Sequence, residues 1–258
     1  MNKASRKHII ELLDKGIRLD GRKPDQYREV SVEFDVTRSA EGSARVKIGD
    51  TEMITGVKME LFEPYPDTPD QGSLMVGAEF SPMASPEFES GPPGIESIEL
   101  SRVIDRGIRE SQAIDLKKLC LKKGELCWMV VIDMAPINAA GNLFDAGALS
   151  AIAAIKDTKL PGIKDDQVDY DNKTEDPLPV KKVALSVTVC KIGKHLIIDP
   201  LPEEEKVIDA RLTVATDESG ELCALQKGGE EPLSVEEIDK MVELGIEKGK
   251  ELRAKLES

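Results

Sequence analysis

Aromatic residues are scarce, at 3% of the 258-residue chain. Proteins that bind single-stranded nucleic acid on a sheet stack the bases on aromatic side chains, so the composition argues against such a platform. Cysteine and histidine are scarce too, with four and two residues and no CxxC pair. That scarcity argues against a zinc site and a disulfide framework, and we expect no metal and no cofactor. Cys127 and Cys190 lie in apolar runs and are predicted to be buried, reduced thiols.

Long apolar runs are missing as well. No segment approaches the roughly 18 apolar residues of a membrane-spanning helix, and the first ten residues, MNKASRKHII, lack the apolar core of a secretory signal. We therefore expect a soluble, cytoplasmic chain with no membrane partner. The patterns GxxxxGK[ST] and GxGxxG do not occur, which argues against a Walker-type nucleotide site and a dinucleotide-binding fold.

Positive charge is in deficit. The 35 lysines and arginines face 49 aspartates and glutamates, which gives a net charge of −14. Binding to phosphates depends on lysine and arginine, so a chain with this balance does not coat nucleic acid with its whole surface. Any contact with nucleic acid is expected to be local.

The chain does contain two successive runs of strand patterns, each followed by helix patterns. In the first run, IGDT at 48–51 predicts a tight hairpin, and residues 64–93 hold seven prolines and are predicted to be loops. The first-run strands are predicted at 29–36, 43–48, 52–60 and 73–80, as a four-stranded meander, with a fifth at 125–135 before an alanine-rich helix over about 145–158. The second-run strands are predicted at about 181–190, 195–199, 207–216 and 221–227, before a helix that begins at Ser234 with the capping box S-V-E-E.

This order of elements predicts an α+β fold of two tandem β-rich units with helices packed on the sheets. Residues 160–180 carry six acids, two lysines and three prolines, a composition typical of a linker. The predicted division is an N-terminal helix over 1–16, a first unit over 17–160, an acidic linker over 161–180 and a second unit over 181–258.

Three arginines occur in the stretch SRVIDRGIRES, residues 101–111. If the pattern from Ile95 to Leu119 is helical, Arg102, Arg106 and Arg109 share one helix face. Each has an opposite charge three or four residues away, so a solvated face of weak ion pairs is the alternative to a binding site.

Two other segments are candidates for chemistry. Asp145, at the mouth of the alanine-rich helix, predicts either a simple N-cap or an anion site at the helix N-terminus, and the N-cap is favoured because Ala148 and Leu149 offer no donors. The segment 195–212 clusters five acids, Asp199, Glu203, Glu204, Glu205 and Asp209. Its prolines favour a solvated acidic loop over a metal or acid–base site.

Four segments, in their order and spacing, resemble the ribonuclease PH superfamily, and within it the non-catalytic ring subunit of the archaeal exosome. The four segments are IRLDGRKPDQYREVSVEFDV (17–36), EGSARVKIGDTEMITGV (41–57), IELSRVIDRGIRESQAIDL (98–116) and DAGALSAIAAIKDTKLP (145–161). The resemblance implies a ribonuclease PH-like fold and a hexameric ring of alternating catalytic and non-catalytic subunits, capped by RNA-binding subunits, that degrades RNA from the 3′ end with phosphate.

The resemblance also implies that this chain has no catalytic residues of its own. Active members follow the D-A-G segment with Ser or Thr and then Arg, where this chain has Ala148 and Leu149. Arg211 stands where they carry an essential aspartate, and a guanidinium cannot serve as an acid or hold a metal. Ile95 and Glu96 replace an arginine pair that grips RNA.

The implied partners are a catalytic ribonuclease PH-like subunit, RNA-binding cap subunits and RNA. In such a ring Arg102, Arg106 and Arg109 are expected to approach the partner's active site, with Arg106 and Arg109 favoured as the contacts to RNA or to the partner. The alternatives are an autonomous phosphorolytic 3′-exoribonuclease and an acidic interaction module without an RNA role.

Overall fold

The computed structural model describes residues 3–164 and 167–257, which fold into two sheets, a separate hairpin and the helices packed on them. The helices are α1 (Lys3–Leu13), α2 (Ile95–Glu110), α3 (Leu143–Asp157), α4 (Pro202–Glu205) and α5 (Val235–Arg253), with 3₁₀ turns at Leu116–Leu119 and Ala254–Leu256. The strands of the first half are β1 (Val30–Phe34), β2 (Gly42–Ile48), β3 (Thr51–Phe62), β4 (Ser73–Ala78), β5 (Cys120–Lys122), β6 (Leu126–Asn138), β7 (Lys159–Lys164) and β8 (Gln167–Pro177). Those of the second half are β9 (Leu185–Ile192), β10 (His195–Ile198), β11 (Ala210–Thr216) and β12 (Leu222–Gly229).

The first sheet has the order β1-β2-β3-β6-β4, and β5 pairs with β6. The predicted hairpin is present, since Ile48 pairs with Thr51 across Gly49, whose φ of 56° suits glycine. The predicted four-stranded meander is wrong, because β6 lies between β3 and β4 and runs parallel to β4. The long, proline-rich loop after β3 does not form the tight turn that a meander needs, and the more apolar β6 takes the central place.

The second sheet is antiparallel, with the order β10-β9-β11-β12. Its strand β9 is buried at seven of eight positions because α3 contacts it and so does α5. The predicted capping box starts α5: the Ser234 hydroxyl accepts from the Glu237 N–H, and the Glu237 carboxylate accepts from the Ser234 N–H. The tandem arrangement predicted from the sequence is therefore present.

Helix α3 lies between the two sheets and contacts β2 and β3 on one side and β9 on the other. Residues 145–155 are all buried, and the many alanines among them let both sheets approach the helix closely. One apolar cluster runs through α3 from the first sheet to the second. The two units therefore share a core, and the positions of α2 and β11 are fixed relative to each other.

The expected acidic linker over 161–180 instead contributes most of a two-stranded antiparallel hairpin, β7 with β8. Lys159 pairs with Glu175, the Thr174 hydroxyl donates to the Leu160 carbonyl at 2.6 Å, and Val168 packs against the main core. Composition alone does not reveal this strand pairing, and the Lys159–Glu175 pair neutralises one of the acids. Residues 165 and 166 of the expected linker lie outside the described residues.

Two helix boundaries differ from the sequence pattern. The predicted helix over Ile95–Leu119 ends at Glu110, because Gln112 has a φ of 55° and the chain turns to form a bridge between Ile114 and Val180. The predicted N-terminal helix over 1–16 corresponds to α1, which ends at Leu13. The chain then turns at Gly16, which has a φ of 73°. Residues 1 and 2 lie outside the described residues. Its Ile9 and Leu13 form a small core with the second sheet.

Candidate functional site

Helix α2 separates an apolar face from a charged one. Its buried residues are Ser97, Leu100, Val103, Ile104, Gly107 and Ile108. A Cβ at Gly107 would lie 2.8 Å from the Ser186 Oγ, so glycine lets the helix approach the second unit closely. Arg102, Arg106 and Arg109 are all exposed on the other side, as their spacing predicts.

The three arginines have different partners. Arg109 donates two hydrogen bonds to the Asp105 carboxylate, at 2.7 and 3.0 Å, and one to the Leu74 carbonyl of β4 at 2.9 Å. Its hydrogen bond to Asp105 raises the pKa of Arg109 despite partial burial. Arg106 pairs with Glu110 at 2.6 Å. Within residues 3–164 and 167–257, Arg102 makes no hydrogen bond or ion pair, so its guanidinium is the one free to bind a ligand.

A groove of about 320 Å³ runs beside these arginines, between α2 and β4. Val76, Ser101, Asp105 and the three arginines line it. Two of the three guanidinium groups are paired, Arg109 with Asp105 and Arg106 with Glu110, so Arg102 leaves the groove with one net positive charge in an otherwise acidic chain. Guanidinium groups at such spacing can bind successive phosphates or carboxylates in bidentate geometry.

At the start of α3, Asp145 is not the N-cap that the sequence favoured. The N-cap is Asn142, with a φ of 58°, and Asp145 lies one turn further in, fully buried. The Asp145 carboxylate accepts hydrogen bonds from the Tyr27 hydroxyl at 2.7 Å and the Thr188 N–H at 2.7 Å. Burial raises the pKa of Asp145 to about 7, although these hydrogen bonds oppose the rise. At the N-cap itself, the Asn142 N–H donates to the Glu205 carboxylate at 2.8 Å, so an acid of this chain already lies at the helix end.

Ala148 and Leu149, one turn further along α3, are buried in the core. They offer no hydrogen-bond donors other than their backbone N–H groups. On the facing strand β11, the Arg211 guanidinium pairs with Glu99 of α2 and lies 4.7 Å from the centre of the Phe144 ring. A Cβ at Gly228 would lie 2.6 Å from its Cζ, so glycine makes room for this side chain. Arg211 thus lies beside Phe144 at the start of α3 and beside Glu99 of α2, whereas Ala148 and Leu149 are enclosed in the main core.

The expected solvated acidic loop over 195–212 is wrong for Asp199 and Glu204, which are both fully buried. Glu205 is exposed, but its carboxylate accepts from the Asn142 N–H at 2.8 Å. Glu204 accepts from Arg18 in a fully buried ion pair, with one Nε–Oε1 distance of 3.0 Å. Asp209 is partly buried and pairs with Arg6 at 2.9 Å, and Glu203 is exposed like Glu205. Buried acids need such partners because an unpaired charge is costly in the interior.

Asp199 is the centre of this ionic cluster. It accepts from Arg28 at 2.7 and 2.9 Å, from Arg22 at 2.7 Å and from the Asn142 side chain at 3.0 Å. Burial would raise the pKa of Asp199, but the hydrogen bonds and charge of Arg28, together with the charge of Arg22, lower it below its usual value. Among the described residues, no group of three His, Cys, Asp or Glu side chains is placed to hold a metal ion.

Sequence reasoning missed the arginines of this cluster, Arg18, Arg22 and Arg28. The segment 17–28 carries them within twelve residues, but it lies about 170 residues from the acids that it binds. No local pattern gives a signal for these pairs, because their partners are so distant in sequence. The N-terminal segment is thereby fastened to the second unit.

The two β-rich units, joined through one core around α3, match a known family. The first matches the model for domain 1 of the 3′ exoribonuclease family over residues 26–161, and the second matches the model for domain 2 over residues 182–248. The chain belongs to this ribonuclease PH family, which confirms the family and the fold predicted from the sequence.

Particular relatives narrow the position within the family. The chain is 46% identical to a protein of Methanothermobacter thermautotrophicus named exosome complex component Rrp42, over 95% of this chain and 91% of the relative. It is also similar to a chain of an Archaeoglobus fulgidus exosome solved with RNA bound to the active site, at 43% identity and a TM-score of 0.89 over 98% and 97% of the two chains. A chain of an archaeal exosome core gives a TM-score of 0.87 at 40% identity, over 99% and 97%.

The described residues include no helix that is both long enough and apolar enough to cross a membrane.

Proposed function

We propose that this chain is a non-catalytic subunit of an exosome ring that degrades RNA from the 3′ end with phosphate. The relatives named exosome components cover nearly the whole chain, which supports membership of such a complex. The observation that carries the non-catalytic role is the side-chain chemistry at three positions. Ala148 and Leu149 are apolar and buried, and the Arg211 guanidinium pairs with Glu99.

The chemistry of Ala148, Leu149 and Arg211 supports the proposal. Phosphorolysis needs donors that hold the attacking phosphate and an acid that protonates the leaving oxygen. Ala148 and Leu149 supply no side-chain donor, and Arg211 cannot release a proton near neutral pH. The buried Asp145 is not a substitute acid, because its carboxyl is enclosed by Tyr27, Thr188 and Asn142 rather than open to substrate.

The partners in the proposal are a catalytic ribonuclease PH-like subunit, alternating with this chain in a hexamer, RNA-binding cap subunits and RNA. The groove beside α2 is the surface that we assign to RNA or to the partner's active site. In this assignment Arg102, whose guanidinium is free within the described residues, makes the main contact to the bound phosphate or carboxylate. Arg106 and Arg109 add charge next to it. The four unpaired cysteines fit the reducing cytoplasm in which we place the complex.

The first test separates this role from an autonomous exoribonuclease. The purified chain is incubated with short single-stranded RNA and inorganic phosphate, and nucleoside diphosphates are measured. We expect none from the chain alone and release when the catalytic homologue of the same organism is added. Release by the chain alone that Arg211→Ala abolishes would overturn the non-catalytic role.

The second test addresses assembly. Native mass spectrometry of the chain coexpressed with the catalytic homologue is expected to show a hexamer with three copies of each. A chain that stays apart from the homologue would instead support an acidic interaction module without an RNA role.

The third test addresses the arginines of α2. In the reconstituted ring, Arg102→Glu combined with Arg106→Glu is expected to weaken RNA binding, and the dependence of affinity on salt should become shallower because fewer phosphate contacts remain. Arg38→Glu is the matched control, since Arg38 is exposed beside β1, at the opposite edge of the sheet from β4. Unchanged RNA binding with an intact ring would reject the assignment, and loss of the ring would assign the arginines to the partner.

A further inference from the structure

The hairpin formed by β5 and β6 carries two of the four cysteines. Cys120 in β5 and Cys127 in β6 are paired residues of the antiparallel ladder. They are separated in sequence only by residues 121–126, which form the end of the hairpin. The two thiols are therefore held opposite each other by the backbone.

This register satisfies the geometry of a disulfide. Opposite residues of an antiparallel pair have Cα atoms about 4.5–5.5 Å apart, and disulfides join Cα atoms about 4.4–6.8 Å apart. Directly opposite residues of an antiparallel ladder have their side chains on the same face of the sheet, and the Cys120 thiol is near enough to raise the pKa of Cys127. Little backbone movement is needed to join the sulfurs.

The surroundings distinguish the two thiols. Cys127 is fully buried, whereas Cys120 is partly exposed to solvent. Burial and the neighbouring Cys120 thiol raise the pKa of Cys127 to about 11. The thiolate is the reactive form of cysteine, so an oxidant from solvent meets Cys120 first and Cys127 acts second.

No other cysteine competes for either partner. Cys190 lies in β9 and Cys223 in β12, both in the second sheet, and burial raises the pKa of each. The predicted buried thiols, Cys127 and Cys190, thus differ in one respect: Cys127 has a thiol neighbour in register, and Cys190 does not.

We propose that Cys120 and Cys127 are a reversible dithiol–disulfide site, oxidised by small-molecule disulfides such as oxidised glutathione. The Cys120 thiolate attacks one sulfur of the oxidant, the oxidant's S–S bond breaks and one glutathione thiolate leaves. Cys127 then loses its proton and attacks the Cys120 sulfur, the mixed disulfide breaks and the second glutathione thiolate leaves. Two protein thiols are oxidised, one disulfide is reduced to two thiols, and the two protons end on the glutathione products.

The site also has a structural consequence. The turn between the two cysteines is tied to the proline-rich loop after β3, because the Gly124 N–H donates to the Pro69 carbonyl at 2.7 Å. A covalent link across the base of this turn restricts its opening. Oxidation therefore fixes the turn, and with it the contact to the loop.

The test uses the full chain under native conditions. The chain is reduced, freed of reductant, treated with oxidised glutathione and quenched in acid. We expect each chain to lose two hydrogens in mass, to show two reactive thiols after unfolding instead of four, and to yield a peptide that links Cys120 to Cys127. Added dithiothreitol is expected to restore all four thiols.

Matched variants make the result specific. Cys223→Ser should behave as the wild type and lose two hydrogens. Cys127→Ser should stop at the mixed disulfide and gain one glutathione at Cys120. In the wild type, the attack of Cys127 that forms the intramolecular disulfide should become faster as the pH rises, because more of the Cys127 thiol is ionised.

Four free thiols after prolonged oxidation would overturn the proposal, as would a link between two chains or stable glutathione on the wild-type Cys120. Circular dichroism of the reduced and oxidised chains checks that the fold survives. If Cys127→Ser does not fold, Cys120→Ser supplies the second arm, and it should leave Cys127 unmodified.

Discussion

Two groups of arginines in this acidic chain have opposite surroundings. Arg18, Arg22 and Arg28 lie in or beside the interior, and the side chain of Arg18 is fully buried against Glu204. Arg106 and Arg109 of α2 have side chains that are 59% and 41% exposed. Both groups lie in segments where acidic and basic residues alternate, 17–28 and 99–110, so the sequence does not distinguish them.

The difference lies in what each group can still bind. The guanidinium groups of the buried arginines already donate hydrogen bonds to Asp199, Glu204 and backbone carbonyls. These bonds join the N-terminal segment to the second unit. The arginines of α2 have partners only on their own helix and on β4, or none, as for Arg102 within the described residues. Breaking the pairs of the buried arginines should lower the free energy of unfolding, whereas replacing the arginines of α2 should weaken the binding of RNA.

The largest effect is expected from Glu204→Gln. The substitution leaves Arg18 as a buried charge without its anionic partner, and breaking a buried pair in this way costs about 3–5 kcal/mol. Urea denaturation followed by circular dichroism should therefore show a large fall in the free energy of unfolding.

A double variant controls for the loss of a charge. Replacing the pair together, as Arg18→Met with Glu204→Met, should cost less than the sum of the single changes, because no unpaired charge remains. A fall of less than about 1 kcal/mol for Glu204→Gln would show that the pair is solvated and would remove the contrast with α2.

The second prediction concerns pH. The pKa of Asp145 is about 7 in the folded chain and 3.8 as a free side chain, so the folded state binds a proton that the unfolded state releases between these values. The stability that the proton on Asp145 contributes is fully present below pH 3.8. It is lost as the pH rises through about 7, and the free energy of unfolding falls by up to about 1.4 kcal/mol for each pH unit.

The test compares the wild type with Asp145→Asn by urea denaturation at several pH values from 5 to 8. The variant should be less stable at pH 5, and the difference between the two proteins should shrink towards pH 8. Asp199 acts in the opposite sense, since a lowered pKa gives stability that is lost on acidification, but it is present in both proteins. Parallel curves would show that Asp145 titrates at its ordinary pKa.

The contrast between the two groups also shows what sequence could predict. Local signals were sufficient for the Ile48–Thr51 hairpin, for the Ser234 capping box and for the shared face of Arg102, Arg106 and Arg109, because each depends on residues a few positions apart. The family and the tandem fold followed from longer motifs.

Interactions between distant segments could not be predicted in the same way. The acids at 199–205 were expected in solvent because their partners, Arg22 and Arg28, lie about 170 residues away. The place of β6 between β3 and β4 and the hairpin of β7 with β8 likewise depend on pairing that composition does not encode. The roles of Ala148, Leu149 and Arg211 came from resemblance and remain part of the proposal.

An intermediate effect is expected at the pair between Arg211 and Glu99, which is neither buried nor fully exposed. Its side chains are 22% and 36% exposed, and it joins β11 of the second unit to α2. Glu99→Gln should lower the free energy of unfolding by about 1 kcal/mol, between the buried and exposed cases.

The same variant sharpens the comparison in the assembled ring. It frees the Arg211 guanidinium, and RNA phosphorolysis should stay unchanged, since Ala148, Leu149 and Arg211 still supply no acid. Restored activity in the chain alone would show instead that the pair with Glu99 holds a competent site closed.

The smallest effect is expected from Arg106→Gln, which removes one exposed pair with Glu110 on α2. Exposed pairs at i and i+4 contribute about 0.3–0.5 kcal/mol, and salt screens them further. The free energy of unfolding should therefore fall by that amount or less at low salt and should match the wild type at 1 M salt, where the screening length is about 3 Å. Glu110→Gln is the matched control, because it breaks the same pair but keeps the guanidinium. If both variants are equally stable while only Arg106→Gln weakens RNA binding by the ring, the charge serves binding. A fall of more than about 1 kcal/mol would place Arg106 with the buried arginines, as a residue of the fold.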